Sequence, residues 1–426
     1  MTEENRLRED LGRIEAQCAA LAPLREHWTG NPATAFLSKK SREQMDHRLA
    51  HLSVNFPRLL VSSYVDRMNL TGFKLYTGDQ APKAWSRHRR AGLMSRADLV
   101  HTDRLMYGAA FVTVWPETAG PVAVLDSPFT MTVDEDPLTG TVSRAVRTWV
   151  HRGKRHALVI EADTITRWES PTPDLGPAGQ WERVPGPDVS PWGADGIVPV
   201  VPFIRRMSSD DYTGTSVAAD ILDLTDAQNK IMGDAMVTSE AYARPRRWAT
   251  GLEIEEDEDG NALDPFRRDS NLQSESPETK FGQFDPARLD SYADMSATLT
   301  QMVGAMTGLP AHYLGLHGDQ PANADSVRAA EVQLALRVRS ELEQMNGPWG
   351  RVATLLDLAA NRDIMAPVEY IPEWRDPEVG TTAQDADAAA KLHGIGVPLS
   401  AVLARPMGWD PEQIRAALDD SATTLP

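Results

Sequence analysis

Residues 215–243 read TSVAADILDLTDAQNKIMGDAMVTSEAYA, and they decide the fold of the second half of the chain. Apolar side chains recur there every three or four residues, which is the spacing of one face of an α-helix. Ser216 stands at the start, where its hydroxyl can accept a hydrogen bond from a free N–H group of the first turn. The stretch therefore predicts one long helix, whose apolar stripe consists of Val217, Ile221, Leu224, Ala227, Ile231, Ala235 and Met236.

Two later stretches show the same helical period. The first, 286–307, ends at Gly308-Leu-Pro310, because glycine and proline stop a helix. The second, 325–361, continues past Gly347-Pro348, which predicts a long helix kinked at the proline. The stripe of the first stretch consists of Leu289, Tyr292, Met295, Leu299, Met302, Val303 and Met306.

The segments between and after these helices have other patterns. Residues 244–285 lack a helical period and predict a non-helical insert. Residues 308–324 contain several glycines and prolines, which predicts a loop. The tail, 362–426, predicts short helices around Pro398 and Pro411.

The first half of the chain mixes helices with strands. Apolar spacing predicts an N-terminal helical arm within 1–50 and further helices at 58–69 and 82–107. Proline and glycine in the segment Asp134–Gly140 predict a hairpin connection. We therefore predict an α+β, mostly helical fold, with strands at 111–115, 121–125, 129–133, 141–150 and 157–166.

Composition limits the class of protein. The 426 residues are 41% hydrophobic and 24% charged, which is typical of a globular chain. Lys and Arg total 43 against 61 Asp and Glu, giving a net charge of −18. This charge argues against clamping of nucleic acid over the whole surface, although it does not exclude DNA that passes through without binding tightly.

The single cysteine and the hydropathy of the chain predict a soluble protein from a reducing compartment. Cys18 is the only cysteine, so an intrachain disulfide and a thiolate metal cage are excluded. The longest apolar run, 105–115, is shorter than the roughly 20 residues that a membrane-spanning helix needs. The first ten residues lack the apolar core of a signal peptide.

Two short motifs resemble catalytic or metal sites, but each lacks a residue that the chemistry requires. Gly214-Thr-Ser216-Val-Ala218 is similar to the turn that exposes a nucleophilic serine, except that alanine replaces the last glycine. His47 and His51 have the spacing of a zinc-protease pair, but Arg48 stands where the general base would be. A helix cap at Ser216 and a solvated histidine pair are the better interpretations.

Two further motifs also fail. Residues 257–261, DEDGN, resemble a calcium loop, but Phe266 occupies the position of its bidentate glutamate. Gly394-Ile-Gly396 lacks the third glycine and the preceding strand of a dinucleotide-binding turn. The sequence therefore predicts no catalytic residue, no metal site and no cofactor, and it does not predict an enzyme.

Segments along most of the chain resemble the portal proteins of tailed bacteriophages, in particular the family of long-tailed phages of actinobacteria. The order and spacing of these segments carry the resemblance, which spans about 54–361. The segments are TGTS at 213–216, LDLTDAQNK at 222–230, SEAYARPRR at 239–247, VNFPRLLV at 54–61 with Gly72-Phe73, DPLTG at 136–140 with Ala145 and Trp149, LPAHYLG at 309–315, ANADS at 322–326 and AAE at 329–331.

The resemblance implies a ring of usually twelve subunits at one capsid vertex, which packages and ejects double-stranded DNA without hydrolysing ATP itself. It implies a portal-like subunit with an α/β wing, a two-helix stem, a clip insert, a long kinked helix and a short helical crown. The corresponding segments are the arm 1–50, wing 51–214, first stem helix 215–243, clip 244–285, second stem helix 286–307, tunnel loop 308–324, kinked helix 325–361 and reduced crown 362–426.

The implied partners are other copies of the chain, the terminase large subunit, a head-completion adaptor, the major capsid and scaffold proteins, and weakly and non-specifically held double-stranded DNA. No membrane is expected, and the implied location is the portal vertex of the virion, with assembly in the host cytoplasm. An acidic channel wall would keep DNA from sticking to the surface.

Two groups of residues are candidates for contacts. No lysine occurs between Lys280 and Lys391, so only weak contact with DNA is expected from the tunnel-loop group, His317, Gly318, Asp319, Gln320 and Asn323. Arginine and tryptophan are enriched at interface hot spots. We therefore expect contacts with neighbouring subunits or partners from the clip group, Arg244, Arg246, Arg247, Trp248, Glu255, Glu256 and Asp257.

Two alternatives stay open at this level. The chain could be another structural component of the virion, such as a head–tail adaptor, although such proteins are usually shorter. It could also be a hydrolase that uses Ser216, in which case substitution by alanine would abolish an activity. If Ser216 is only a cap, the same substitution costs about 1 kcal/mol of stability.

Overall fold

A computed structural model describes residues 2–31, 53–173, 180–186, 188, 190, 192, 196–242, 247–251, 277–283, 289–316, 324–361, 368–378, 382–404, 407–409 and 413–418. The chain divides into two compact units. The large unit contains Met1–Ala33, Asn55–Asp223 and Val303–Pro426, and the small unit contains Thr34–Val54 and Leu224–Met302.

Most helices of the described residues lie where the sequence pattern predicts them, although the helix predicted at 58–69 ends at Val65. The helices are α1 (Glu3–Thr29), α2 (Phe56–Val65), α3 (Pro82–Arg90), α4 (Ala97–Tyr107), α5 (Leu222–Tyr242), α6 (Asp290–Thr307), α7 (Ala324–Asn361), α8 (Thr382–Gly394) and α9 (Leu399–Ala404). Short 3₁₀ turns at Ala219–Ile221 and Ala311–Leu314 precede α5 and follow α6.

The strands form four antiparallel sheets. They are β1 (Leu70–Leu75), β2 (Ala109–Trp115), β3 (Val122–Asp126), β4 (Met131–Glu135), β5 (Val142–His151), β6 (Lys154–Glu161), β7 (Ile165–Ser170), β8 (Glu182–Arg183), β9 (Val200–Ile204), β10 (Arg247–Thr250), β11 (Lys280–Gln283) and β12 (Tyr370–Trp374). The sheet orders are β4-β5-β6-β7-β8, β3-β2-β9, β1-β12 and β10-β11. The mixture of helix and strand confirms the α+β prediction.

Helix α1 covers one face of the five-stranded sheet, as its apolar stripe requires. Leu7, Leu11 and Ile14 are fully buried there. Cys18 packs against the same cluster, and burial raises the pKa of its thiol. The sheet contributes Val146, Ala157, Val159, Trp168 and Trp181 to this core. A second core lies between the five-stranded and three-stranded sheets and includes Phe111, Met131, Ala145, Ile160 and Val200.

The predicted hairpin between β4 and β5 is confirmed. Asp136 Oδ1 accepts a hydrogen bond from the Leu138 N–H at 2.8 Å. Gly140 closes the turn with a φ of 66°, a conformation that glycine adopts without a steric penalty. Val133 then pairs with Ala145 across the two strands.

One predicted helix is wrong, because 82–107 forms two helices rather than one. The chain leaves the helix at Gly92, whose φ is +72°. Arg96 then stabilises the break, since its guanidinium donates to the carbonyl oxygens of Ala91 at 2.9 Å and Gly92 at 3.0 Å. A guanidinium that satisfies helix-end carbonyls is a tertiary feature that apolar spacing does not reveal.

Other boundaries differ as well. The predicted strand 157–166 crosses a turn, and the structure has β6 and β7 there, paired with each other. The helix predicted at 215–243 begins at Leu222, after the 3₁₀ turn. Helix α7 continues through Pro348, which confirms one long helix over 325–361, while the kink at the proline stays a prediction. Strands β1 and β12 were not predicted, and they pair over some 300 residues of sequence, for example Phe73 with Pro372.

The inner face of α3 lies in an aromatic cluster of the large unit. His88 stacks on Trp85 with ring centroids 5.4 Å apart and meets Trp349 of α7 edge-on at 5.2 Å. His88 is 1% exposed and neither of its ring nitrogens has a hydrogen-bond partner. Burial therefore lowers the pKa of His88 to about 3.

Candidate functional site

Two helices and a strand pair form the described part of the small unit. Gln228 Nε2 of α5 donates to Ser296 Oγ of α6 at 2.5 Å. Thr238 Oγ1 lies 3.2 Å from the Tyr292 hydroxyl oxygen, further along both helices. Because the later residue of α5 meets the earlier residue of α6, the two helices run in opposite directions. Polar contacts therefore fix this pair.

The apolar stripe of α6 is divided between two faces of the helix. Tyr292 and Ser296 face α5, whereas Met295 and Met302 are 55% and 49% exposed. Leu299 lies between the two methionines at helical spacing and is half-buried. Each residue of a helix is rotated by about 100° from the one before. Met295, Leu299 and Met302 consequently share one outward line, which we call the methionine stripe.

Strands β10 and β11 form a two-stranded ribbon in the small unit. Trp248 is paired with Gly282, and its indole ring lies over that glycine. A Cβ atom at position 282 would approach the ring to 2.5 Å, so the ribbon requires glycine there. Trp248 is 36% exposed, and Phe281, on the opposite face of the ribbon, is 43% exposed. The ribbon thus presents one aromatic side chain on each face.

Most of the candidate residues from the sequence lie outside the described residues. Of the clip group, Trp248 is placed on the ribbon and the backbone of Arg247 belongs to β10. The rest of that group, Arg244, Arg246, Glu255, Glu256 and Asp257, lies outside the described residues, as does the whole tunnel-loop group, His317, Gly318, Asp319, Gln320 and Asn323. Their assignments therefore stay predictions.

A polar contact group holds the segment just before the tunnel-loop group. The Tyr313 hydroxyl donates to Glu331 Oε1 of α7 at 3.1 Å. Arg67 Nη2 lies 2.9 Å from the Tyr313 hydroxyl oxygen and 3.3 Å from Glu331 Oε2. Tyr313 and Glu331 both belong to segments that carried the resemblance, but their contact could not be predicted from spacing. This group connects the chain before residue 317 to the helix after residue 323.

A buried charge network lies further along α7. Glu341 Oε2 accepts from Arg104 Nη1 at 2.6 Å, and Glu341 Oε1 accepts from Arg205 Nε at 2.8 Å. Arg104 also donates to Gln344 Oε1 at 2.8 Å. Burial lowers the pKa of Arg104, and the Glu341 carboxylate opposes this effect. The network joins α4, the residue that follows β9, and α7, and sequence reasoning missed it because its members are distant in the chain.

The predicted helix cap at Ser216 is wrong, because the 3₁₀ turn begins at Ala219 and its N-cap residue is Ala218, so Ser216 holds the backbone before the turn instead. Its hydroxyl donates to the Leu105 carbonyl oxygen at 3.3 Å and accepts from the Ala218 N–H at 3.0 Å. Gly214 is required for a different reason, since a Cβ atom there would lie 2.1 Å from the Gly108 carbonyl oxygen. Close backbone approach at Gly214 and the two backbone hydrogen bonds of Ser216 therefore account for the Gly-x-Ser motif without a nucleophile.

Neither a metal site nor a membrane-spanning helix occurs in the described part of the chain. The described residues contain no group of three or more His, Cys, Asp or Glu side chains that could hold a metal ion. Among the helices that the structure describes, none is long and apolar enough to cross a membrane.

Comparisons with known proteins give a consistent result. Residues 27–406 match the family model described as "Phage portal protein, SPP1 Gp6-like". A portal protein of Mycobacterium phage L5 is 30% identical over 377 residues, which cover 83% of this chain and 74% of the relative. A portal protein of Mycobacterium phage D29 is 31% identical over the same shares of both chains.

Two solved structures with a weak overall likeness come from gene transfer agent particles. A chain of the virion of the native particle covers 93% of this chain, with a TM-score of 0.48 and 14% identity, and 99% of its own length is matched. A chain of the neck of the empty particle, computed with C6 symmetry, covers 88% of this chain, with a TM-score of 0.49 and 13% identity, and 95% of its own length is matched.

Proposed function

The chain belongs to the SPP1 Gp6-like family of phage portal proteins, and on that premise we propose that it forms a ring at one vertex of the capsid. Double-stranded DNA enters and leaves the capsid through the channel of this ring. The ring contains twelve copies in this proposal, and it hydrolyses no ATP, because a terminase motor docks on it and supplies the energy. A head-completion adaptor replaces the motor, and the major capsid and scaffold proteins surround the ring.

The methionine stripe of α6 is the observation that supports assembly most directly. Met295 and Met302 leave about half of their surface exposed in the single chain, although both are apolar. Contiguous exposed apolar side chains mark interaction surfaces on soluble proteins. Methionine adapts its shape to the surface that it contacts, which suits an interface between helices. We assign the stripe to the contact with the next copy of the chain.

The arrangement of α6 gives each copy two different faces. The face with Tyr292 and Ser296 is occupied by α5 of the same chain, while the methionine stripe is open. A ring closes through head-to-tail contacts, in which one surface of a subunit meets a different surface of the next. An open stripe beside an occupied face meets that requirement. In this proposal α5 and α6 are the stem helices and the ribbon is the base of the clip.

The clip and tunnel-loop groups keep their proposed roles. Trp248 and Phe281 are partly exposed aromatic side chains on the ribbon, and aromatic residues are enriched at interfaces. This supports contact of the clip with neighbouring subunits or with the adaptor and motor. The contacts of Tyr313 and Glu331 support a fixed starting position for the tunnel loop, which would approach DNA weakly. The net charge of −18 supports passage of DNA without tight binding.

A pair of adjacent substitutions tests the proposal. Met302→Glu places a charge on the methionine stripe, whereas Gln301→Glu places the same charge about 100° away on an exposed part of the helix. We expect Met302→Glu to prevent rings in mass photometry and Gln301→Glu to leave them intact. Circular dichroism should show folded protein for both variants. Rings that form equally well in both would contradict the assignment of the stripe.

A further inference from the structure

One of the most basic segments of this acidic chain includes α3 in the large unit. Residues 80–97 contain no Asp or Glu, and they hold five of the cationic side chains, Lys83, Arg87, Arg89, Arg90 and Arg96. The whole chain has 61 acidic residues against 43 Lys and Arg, so a segment with five cations and no acid has the opposite charge to the chain as a whole. Such a local excess of positive charge indicates a surface for an anionic partner.

Arg87 and Arg96 have structural roles in the fold. Arg87 pairs with Asp357 of α7, and its Nη2 donates to Asn361 Oδ1 at 3.2 Å. Arg96 donates to the carbonyl oxygens that end α3. Both side chains therefore have structural partners that satisfy their charge or their donors.

The other cations face solvent. Lys83, Arg89 and Arg90 are exposed, and no ion pair within the described residues involves Lys83 or Arg90. Lys83 and Arg90 are seven residues apart, which is two turns of helix or about 10 Å, and thus lie on one side of α3. These two residues, together with Arg89, form what we call the basic ridge.

The basic ridge is held rigidly by the inner side of α3. Trp85 is 2% exposed and His88 is 1% exposed, and both rings are packed in the aromatic cluster with Trp349. Pro82 starts the helix in the position where proline costs no hydrogen bond. A rigid support fixes the spacing of the backbone positions that carry the cations.

The chemistry of the basic ridge distinguishes between two kinds of anionic partner. Interfaces between proteins have an apolar centre in which charged residues are depleted. In α3 every apolar side chain except Pro82 is buried, and its exposed side chains are all cationic. Interfaces with DNA are strongly positive and gain their affinity from contacts of Lys and Arg with phosphates. The basic ridge therefore resembles an interface with DNA more than an interface between proteins.

We propose that the basic ridge of α3 binds the phosphate backbone of double-stranded DNA without sequence specificity. This contact is separate from the tunnel-loop group, which contains no Lys or Arg. It places a DNA contact on the large unit, outside the helix pair that carries the proposed assembly. The inference does not depend on ring formation, because the ridge is complete within one copy of the chain.

The experiment measures binding of the full chain to a fluorescein-labelled, 30-base-pair duplex of random sequence. Fluorescence anisotropy is recorded between about 25 and 150 mM NaCl, since phosphate contacts give a linear fall of log affinity with log salt. The test variant is Lys83→Gln with Arg90→Gln. The matched control, Lys154→Gln with Arg183→Gln, removes two exposed cations from the five-stranded sheet.

We expect the unmodified chain to bind the duplex at the lowest salt. The test variant should bind more weakly, with a salt slope smaller by about two, since each phosphate contact contributes about 0.9. The control should keep the original slope. Absence of binding by the unmodified chain, an equal effect of both variants, or no effect of the test variant would each overturn the proposal.

Mass photometry of the same samples separates this inference from the proposed function. The basic ridge predicts that the test variant assembles like the unmodified chain. Loss of assembly with retained DNA binding would show that the ridge contacts protein and would overturn the proposal. Failure of all samples to assemble would count against the ring, while the DNA measurement would still decide the ridge.

Discussion

Removal of the Glu341 carboxylate is the most informative perturbation of the large unit. Glu341 is 5% exposed and binds two arginines, Arg104 at 1% and Arg205 at 9% exposure. Its two oxygens accept at 2.6 Å and 2.8 Å, one from each guanidinium. Glu341→Ala therefore leaves two cations in a buried site without the carboxylate that they share.

The burial decides the size of the effect. An exposed ion pair is worth about 0–1 kcal/mol, because water competes with both partners. Removal of one partner from a buried pair costs about 3–5 kcal/mol, since the remaining charge stays desolvated. Because Arg104 and Glu341 are both almost inaccessible, we expect Glu341→Ala to lower the free energy of unfolding by about 3–5 kcal/mol.

Urea unfolding monitored by tryptophan fluorescence measures this loss. Trp349 lies on the same helix as Glu341 and is fully buried, so its emission reports the loss of this core. The matched control is Glu343→Ala, at an exposed position of the same helix, where the expected change is within about 0.5 kcal/mol. A loss below about 1 kcal/mol for Glu341→Ala, or one equal to the control, would refute the reasoning.

Three further predictions follow from other parts of the chain. The pKa of His88 is about 3 in the folded chain and 6.5 in the unfolded chain, so the unfolded chain binds a proton at higher pH. The stability that comes from the neutral His88 ring is therefore complete above pH 6.5 and falls as the pH drops towards 3. By pH 5 the loss in free energy of unfolding is about 2 kcal/mol. His88→Phe should therefore reduce the fall of the urea midpoint between pH 7 and pH 5, and an equal fall in the variant and the unmodified chain would contradict this prediction. Arg246→Glu with Arg247→Glu should disrupt ring assembly or adaptor docking in mass photometry and pull-down assays, and unchanged assembly and packaging would remove the clip assignment. Deletion of 318–323 should impair DNA packaging or retention while rings still form, and normal packaging would contradict the tunnel-loop assignment.

The sequence predicted the helices well because their signal is local. The stripe of Leu7, Leu11 and Ile14 identifies α1 and its buried face from neighbouring residues alone. The hairpin at Asp136–Gly140 is predicted for the same reason, since turn residues act on their own backbone.

Features that depend on distant residues could not be predicted from periodicity. Strand β12 has no independent signal, because its partner β1 lies some 300 residues earlier. The break between α3 and α4 depends on Arg96 meeting carbonyl groups of the preceding helix end. The apolar stripe of α6 was predicted as one surface, but hydrogen bonds of Ser296 and Tyr292 to α5 divide it into a packed face and an open one.

In the candidate site, too, local features could be predicted from the sequence and contacts between distant residues could not. The sequence predicted partner contacts for the insert between α5 and α6, and this stays a prediction, while the structure places its tryptophan on the ribbon as an exposed side chain. It did not indicate that Gly282 is required by the Trp248 ring, since that contact joins two strands. The network of Glu341 and the contacts of Glu331 were likewise missed, because each needs side chains from three separate segments.

Imaging of the purified chain by negative-stain electron microscopy, with mass photometry over a range of concentration and salt, tests the central claim most directly. The proposal predicts rings with a central hole and a mass of about twelve copies of 46.8 kDa. A chain that stays monomeric under all these conditions, and also in the presence of its capsid and scaffold proteins, would contradict the ring.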